Sequence, residues 1–157
     1  MKWFVFLFLF GILTSFATPS TSDSKFNLQV SVSAVASAKG WIEFALYKNP
    51  DTFAKVGTTY RLARGDAQKG IVNYTFKDLE AGKYAVVVYH DVNQNKICDK
   101  NFFGVPTEGY AFSNNVRPNL SVPSFEDCCF KFQQDRNISI KMVYWFPRNL
   151  DQSLIEK

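Results

Sequence analysis

From Phe26 the chain alternates strictly: Phe26, Leu28, Val30, Val32 and Ala34 fall on one face, and Asn27, Gln29, Ser31 and Ser33 on the other. A period of two with one polar face predicts a half-buried strand. The stretch KGWIEFALYKN repeats the pattern, with Ile42, Phe44 and Leu46 on one face. PDTFAKV then reads as a short helical turn with Asp51 near its start. TYRLAR and IVNYTF read as two strands joined by a hairpin through GDAQKG, which has Gly at both ends. In LEAGKY, Gly82 precedes Tyr84 by two residues, which fits either an ordinary Gly turn or a tyrosine corner, in which the hydroxyl bonds back to upstream backbone. YAVVVYH is apolar on both faces, which predicts a central strand covered on its second side. The long excursion that follows, from Asp91 to Ser124, is the expected cover, with Phe102, Phe103, Tyr110 and Phe112 as capping aromatics; the alternative is that these four form a platform for a sugar or peptide. Two further strands are expected. EDCCFKF would put Cys128, Phe130 and Phe132 on one face and Cys129 on the other. NISIKMVYW would align Ile138, Ile140, Met142 and Tyr144. About seven short strands, turn signals between them and almost no helix predict an all-β, antiparallel β-sandwich with one long loop excursion.

The excursion opens on Asp91, Asn93, Asn95 and Asp99, in the pattern D-x-N-x-N-x-x-x-D. An oxygen-lined calcium loop takes hard ligands at alternate positions, a carbonyl at the seventh, here Ile97, and an oxygen at the ninth, here Asp99. The sixth position, normally Gly, is Lys96, and the twelfth, normally a bidentate Glu, is Phe102. Glu108 would be a third carboxylate if the chain folds back. Two readings fit: a weak Ca2+ site made by Asp91, Asn93, Asn95, Ile97, Asp99 and Glu108, or a loop held by the hydrogen bonds that Asn and Asp make to their own backbone. His90 is the only histidine. Zinc would want further His or Cys at matching spacing, so His90 reads as a structural residue.

The first residues change the picture. Lys2, the apolar run Trp3–Leu13 and the small residues Ser15 and Ala17 have the pattern of a secretory signal peptide, too short to span a bilayer. The expected organisation is residues 1–17 signal peptide, 18–25 polar linker, 26–146 β-sandwich and 147–157 polar tail, with no transmembrane anchor in the mature chain. Export to the periplasm or medium follows, and with it an oxidising setting in which the three cysteines can bridge. The formal net charge of +4 is dispersed, with no Lys/Arg cluster of the kind that marks a nucleic-acid surface. Asn73, Asn119 and Asn137 open Asn-x-Ser/Thr sequences, which chance explains.

GKYAVVVYHDVNQNKICDKNFFGVPTEGYAFSNN, then PSFEDCCF, resembles the domain of unknown function 2141 family of exported bacterial proteins, whose shared pattern is similar to HDxNxNGxLDxNxxGxPxExxGFSN. KGWIEFALY fits as well, and the resemblance covers Phe26 to about Phe146. It implies an immunoglobulin-like or transthyretin-like sandwich and no assignable activity. It marks His90, Gly104, Pro106, Phe112, Ser113 and Asn114 as structural residues of the loop, beside Asp91, Asn93, Asn95, Asp99 and Glu108. Lys96 departs from the family's Gly. Cys98, Cys128 and Cys129 stand where the family has aliphatic or small residues, which suggests a set. A disulfide from Cys98 to Cys128 or Cys129 is therefore expected, with Cys129 the better partner, since Cys128 shares a face with Phe130 and Phe132.

The chain thus reads as a secreted or periplasmic module of the cell envelope, non-catalytic, with a binding or structural role and an unknown partner. The alternative is a small enzyme or transition-metal protein working through His90 and the cysteines.

Overall fold

The computed structural model describes residues 24–118 and 121–145. The expected signal peptide, most of the linker, the Asn119 sequence and the polar tail lie outside them. Among the described residues eight strands form two sheets: β1 (Lys25–Val35), β2 (Trp41–Tyr47), β3 (Arg61–Asp66), β4 (Gly70–Glu80), β5 (Gly82–Asp91), β6 (Gly109–Phe112), β7 (Phe130–Phe132) and β8 (Arg136–Lys141). One sheet runs β4-β1-β8. The other runs β3-β2-β5-β6, with β7 pairing an earlier stretch of β5. The all-β sandwich is as expected.

The alternating residues of β1 supply the inner face: Leu28, Val30 and Val32 are fully buried. They pack on Ile42, Phe44 and Leu46 of β2 and on Tyr84, Val86 and Val88 of β5, so one core lies between the sheets. The alternation breaks at Ala34, which takes a left-handed φ of 60° in a bulge, and Val35 takes the buried place instead.

Several local expectations are corrected. TYRLAR and IVNYTF do not form a hairpin. β3 pairs with β2 and β4 with β1, so the chain crosses between sheets at Ala67–Lys69. β8 runs parallel to β1, Leu28 opposite Arg136 through Ser33 opposite Lys141, while the remaining strand pairs are antiparallel. EDCC is not strand. Phe125–Cys128 forms a one-turn helix, α1, started by a reciprocal cap between Ser124 and Asp127. The short helical turn expected in PDTFAKV is present as a 3₁₀ turn over PDT, with Asn49 as its cap.

The tyrosine corner is present. β4 and β5 lie in different sheets two residues apart, and the Tyr84 hydroxyl donates to the Glu80 carbonyl at 3.0 Å. Such a bond contributes about 1 kcal/mol and fixes where β5 begins. β5 is central, and its outer face is covered as expected. Tyr89, Tyr110 and Phe112 join Ala45, Tyr47, Phe53, Phe125 and Cys128 in a second apolar cluster there. Phe102 and Phe103 do not join the cap; they are 96% and 84% exposed. Among the described residues no helix is long and apolar enough to cross a membrane.

Candidate functional site

β5 ends by delivering His90 and Asp91, both fully buried, to one end of the sandwich. His90 lies opposite Gly109 of β6. A side chain at Gly109 would strike the Tyr144 ring at 2.4 Å, so the glycine makes room for Tyr144. The Tyr144 hydroxyl meets His90 Nδ1 at 2.8 Å and accepts from the Ala36 amide at 2.9 Å. His90 Nε2 lies 2.7 Å from the Lys39 carbonyl, which can only accept, so this nitrogen carries a proton. His90 thus ties the β1–β2 connection to β5 and Tyr144.

Asp91 organises the turn after the strand. Its two carboxylate oxygens accept the amides of Asn95 at 3.1 Å and Lys96 at 2.8 Å. Asn93 Oδ1 also accepts from the Asn95 amide, and Asn95 Oδ1 from that of Ile97, the backbone turns this residue type favours. The cost of non-glycine residues here is visible: Gln94 and Lys96 both adopt left-handed φ, 61° and 66°. Asp99 closes the turn, receiving the side-chain amides of Asn93 at 2.7 Å and Asn95 at 3.0 Å. Asp91, Asn93, Asn95 and Asp99 are thus brought together. Ile97 stands at the surface, 56% exposed.

Glu108, on the returning limb, reaches the same turn. Its Oε1 accepts the Val92 amide at 2.9 Å and its Oε2 the Asp99 amide at 3.1 Å. Burial pushes the Glu108 carboxyl above its ordinary value. The Val92 and Asp99 amides oppose this rise, while the Asp99 and Asp91 charges add to it. A carboxyl raised in the folded state binds its proton more tightly there than in the unfolded chain. Its contribution to stability is therefore greatest at low pH and falls as pH rises through the folded value. Glu108→Gln removes this titration. Urea unfolding is expected to show the variant losing less stability, relative to the unmutated protein, at pH 7 than at pH 4.5.

Beyond Asp99, Asn101 Oδ1 accepts the amides of Phe103 and Val105, and Gly104 turns at φ +77°. Lys100 and Pro106 form a bridge below that tip. Ser113 donates to the Cys128 carbonyl at 2.6 Å and accepts the Val86 amide at 2.9 Å. Asn114, at φ 60°, donates to the carbonyls of Asp127 and Cys129. Ser113 therefore fastens β5 to α1, and Asn114 holds the end of the same turn.

The expected Cys98–Cys129 bridge is not formed. All three cysteines are free thiols, and none stands at disulfide distance from another. The predicted strand geometry is the reason. The one-turn helix buries Cys128 and leaves Cys129 facing Glu126, with Sγ 3.6 Å from its carboxylate. Burial pushes the thiol of Cys98 up to about 11 and that of Cys128 up to about 12, which makes both poor nucleophiles at neutral pH. Among the described residues no group of three or more His, Cys, Asp and Glu is placed to hold a metal ion.

Sequence reasoning missed Tyr144 as the partner of His90, and Gly40 and Gly109 as the gaps that let chains meet. Phe103, Tyr110 and Phe112, for which a sugar or peptide platform is the alternative to a cap, line a pocket of about 470 Å³ over the outer face of β5 and β6, with Tyr89, Pro106, Val122 and Trp145 among others. A family model described as an uncharacterised protein conserved in bacteria (DUF2141) matches residues 30–141. No curated protein and no solved structure matches the chain.

Proposed function

The chain belongs to this bacterial family, and from that premise we propose that it is a non-catalytic binding or structural module of the cell envelope, exported by residues 1–17. One observation carries this reading. Asp91 and Glu108 each bridge two backbone amides, so two carboxylates lock both limbs of the excursion onto the end of β5. An excursion fixed in this way is a rigid surface on a rigid sheet, which is what a binding module presents. The alternative, catalysis or transition-metal binding through His90 and the cysteines, is less well supported. Both His90 nitrogens are engaged within the fold, and burial holds the thiols protonated.

Calcium is a second reading of the same turn, favoured by the convergence of Asn93 and Asn95 on Asp99. In this geometry the two amide groups already donate to both Asp99 oxygens, and Asp91 is occupied by backbone. The hydrogen-bonded network therefore accounts for the turn without an ion. The melting temperature is expected to be the same in about 10 mM calcium and in chelator. A calcium-dependent rise that Asp99→Ala abolishes would establish the ion reading instead. At about 100 times the dissociation constant that rise would correspond to about 2.7 kcal/mol.

A further inference from the structure

We propose that the pocket over β5 and β6 binds a small anionic amphiphile, a molecule with an apolar body and one carboxylate or equivalent group. The site names a ligand class for the module reading and rests on it, but it does not depend on the calcium question. Its volume of about 470 Å³ lies within the range of about 300–1,000 Å³ typical of small-molecule sites. Tyr89, Tyr110 and Phe112 of the sheet make an aromatic floor, and the excursion supplies Phe103 and Pro106 above it. At the mouth, Phe103, Val122 and Trp145 are 84%, 56% and 48% exposed, an apolar rim that an apolar body would cover.

Charge at this wall has one sign. Lys100 is the only charged side chain among the described lining residues. It is exposed and forms no ion pair among the described residues. The carboxylates of the same segment are engaged elsewhere, Asp99 with Asn93 and Asn95, and Glu108 with the Val92 and Asp99 amides. Cys98, also in the wall, is held as a neutral thiol by burial. An apolar body therefore has an aromatic slot, and an anionic head has Lys100 at its edge.

The test is a titration of the full chain with dodecanoate and, separately, dodecyltrimethylammonium, both below their micelle concentrations, at low salt. Emission of Trp145 is the readout. Dodecanoate is expected to give a saturable blue shift with a dissociation constant on the order of 10⁻⁵ to 10⁻⁴ M. The cation is expected to bind about fivefold more weakly, since an exposed charge contributes little more than that. The shift should vanish in Trp145→Phe and persist in Trp41→Phe. Lys100→Glu, a surface change, should reverse the preference at an unchanged melting temperature. No saturable response to dodecanoate, equal affinity for the two amphiphiles, or a preference unmoved by Lys100→Glu would each overturn the proposal. These results are read at Trp145, so they stand apart from any change in the Asp91–Asp99 turn.

Discussion

Gly40→Ala is expected to destabilise the protein by about 4 kcal/mol or more, the largest effect of an added methyl group among the described glycines. Gly40 has a φ of +75°, and a Cβ there would lie 1.9 Å from the Asp91 carbonyl oxygen and 2.7 Å from the Val92 Cα. Both are backbone atoms of the strand end that carries the turn, so no side chain can swing aside. The Gly40 carbonyl also accepts the Ala67 amide, and the neighbouring Lys39 carbonyl holds His90, so any backbone shift disturbs both contacts. Against a total stability of about 5–15 kcal/mol, such a loss leaves little folded protein in mild denaturant. Gly57→Ala is the control. Its φ is +77°, almost the same, but nothing lies within 4 Å of the added carbon. Only the left-handed backbone cost of about 1–2 kcal/mol should remain. Urea midpoints of the two variants separate backbone conformation from collision.

Asp91→Ala is expected to cost about 3 kcal/mol. Asp91 is fully buried, and its carboxylate accepts two backbone amides. A hydrogen bond to a charged group contributes about 1.5–3 kcal/mol, and the Lys96 donor would lose its acceptor. Asp99→Ala should cost much less, about 1 kcal/mol, because its partners are the exposed amides of Asn93 and Asn95. A calcium site would rank the two differently when the ion is present, since both carboxylates would be ligands.

Much of the fold was legible because it follows from period. Leu28, Val30, Val32, Ile42, Phe44 and Leu46 are buried as their alternation requires. Tyr84 was legible in part, because its spacing from Gly82 fits a tyrosine corner as well as an ordinary turn. What failed was non-local. No local pattern distinguishes a hairpin from a crossing between sheets, and the segment from Arg61 to Phe76 does the second. The parallel pairing of β1 with β8 joins residues more than a hundred positions apart. The misread strand at Cys128 is different, since Ser124 and Asp127 carried a capping signal in plain sight. The four-residue strand β6, Gly109–Phe112, is too short to show a period of its own inside the excursion.

The same division holds at the site. The alternation of Asp91, Asn93 and Asn95 foretold a curled turn, and the chain delivers one. Which atoms accept which amides was not readable, because Asp91 faces inward to backbone rather than outward to solvent. Glu108 was placed in the set on the assumption that the chain folds back, and it does, onto Val92 and Asp99. The pocket left only a partial sequence signal, the cluster of aromatics that includes Phe103, Tyr110 and Phe112. Its walls come from β5, β6, the tip around Phe103, and Trp145, and those meet only after folding.

Amide hydrogen exchange at Val92, Lys96 and Asp99 tests most directly whether two carboxylates lock the excursion onto β5. These amides donate to Glu108, Asp91 and Glu108 respectively. In the unmutated protein all three should exchange at least about tenfold more slowly than free peptide. In Asp91→Ala the Lys96 amide should lose that protection. Exchange at free-peptide rates for all three in the unmutated protein would contradict the account.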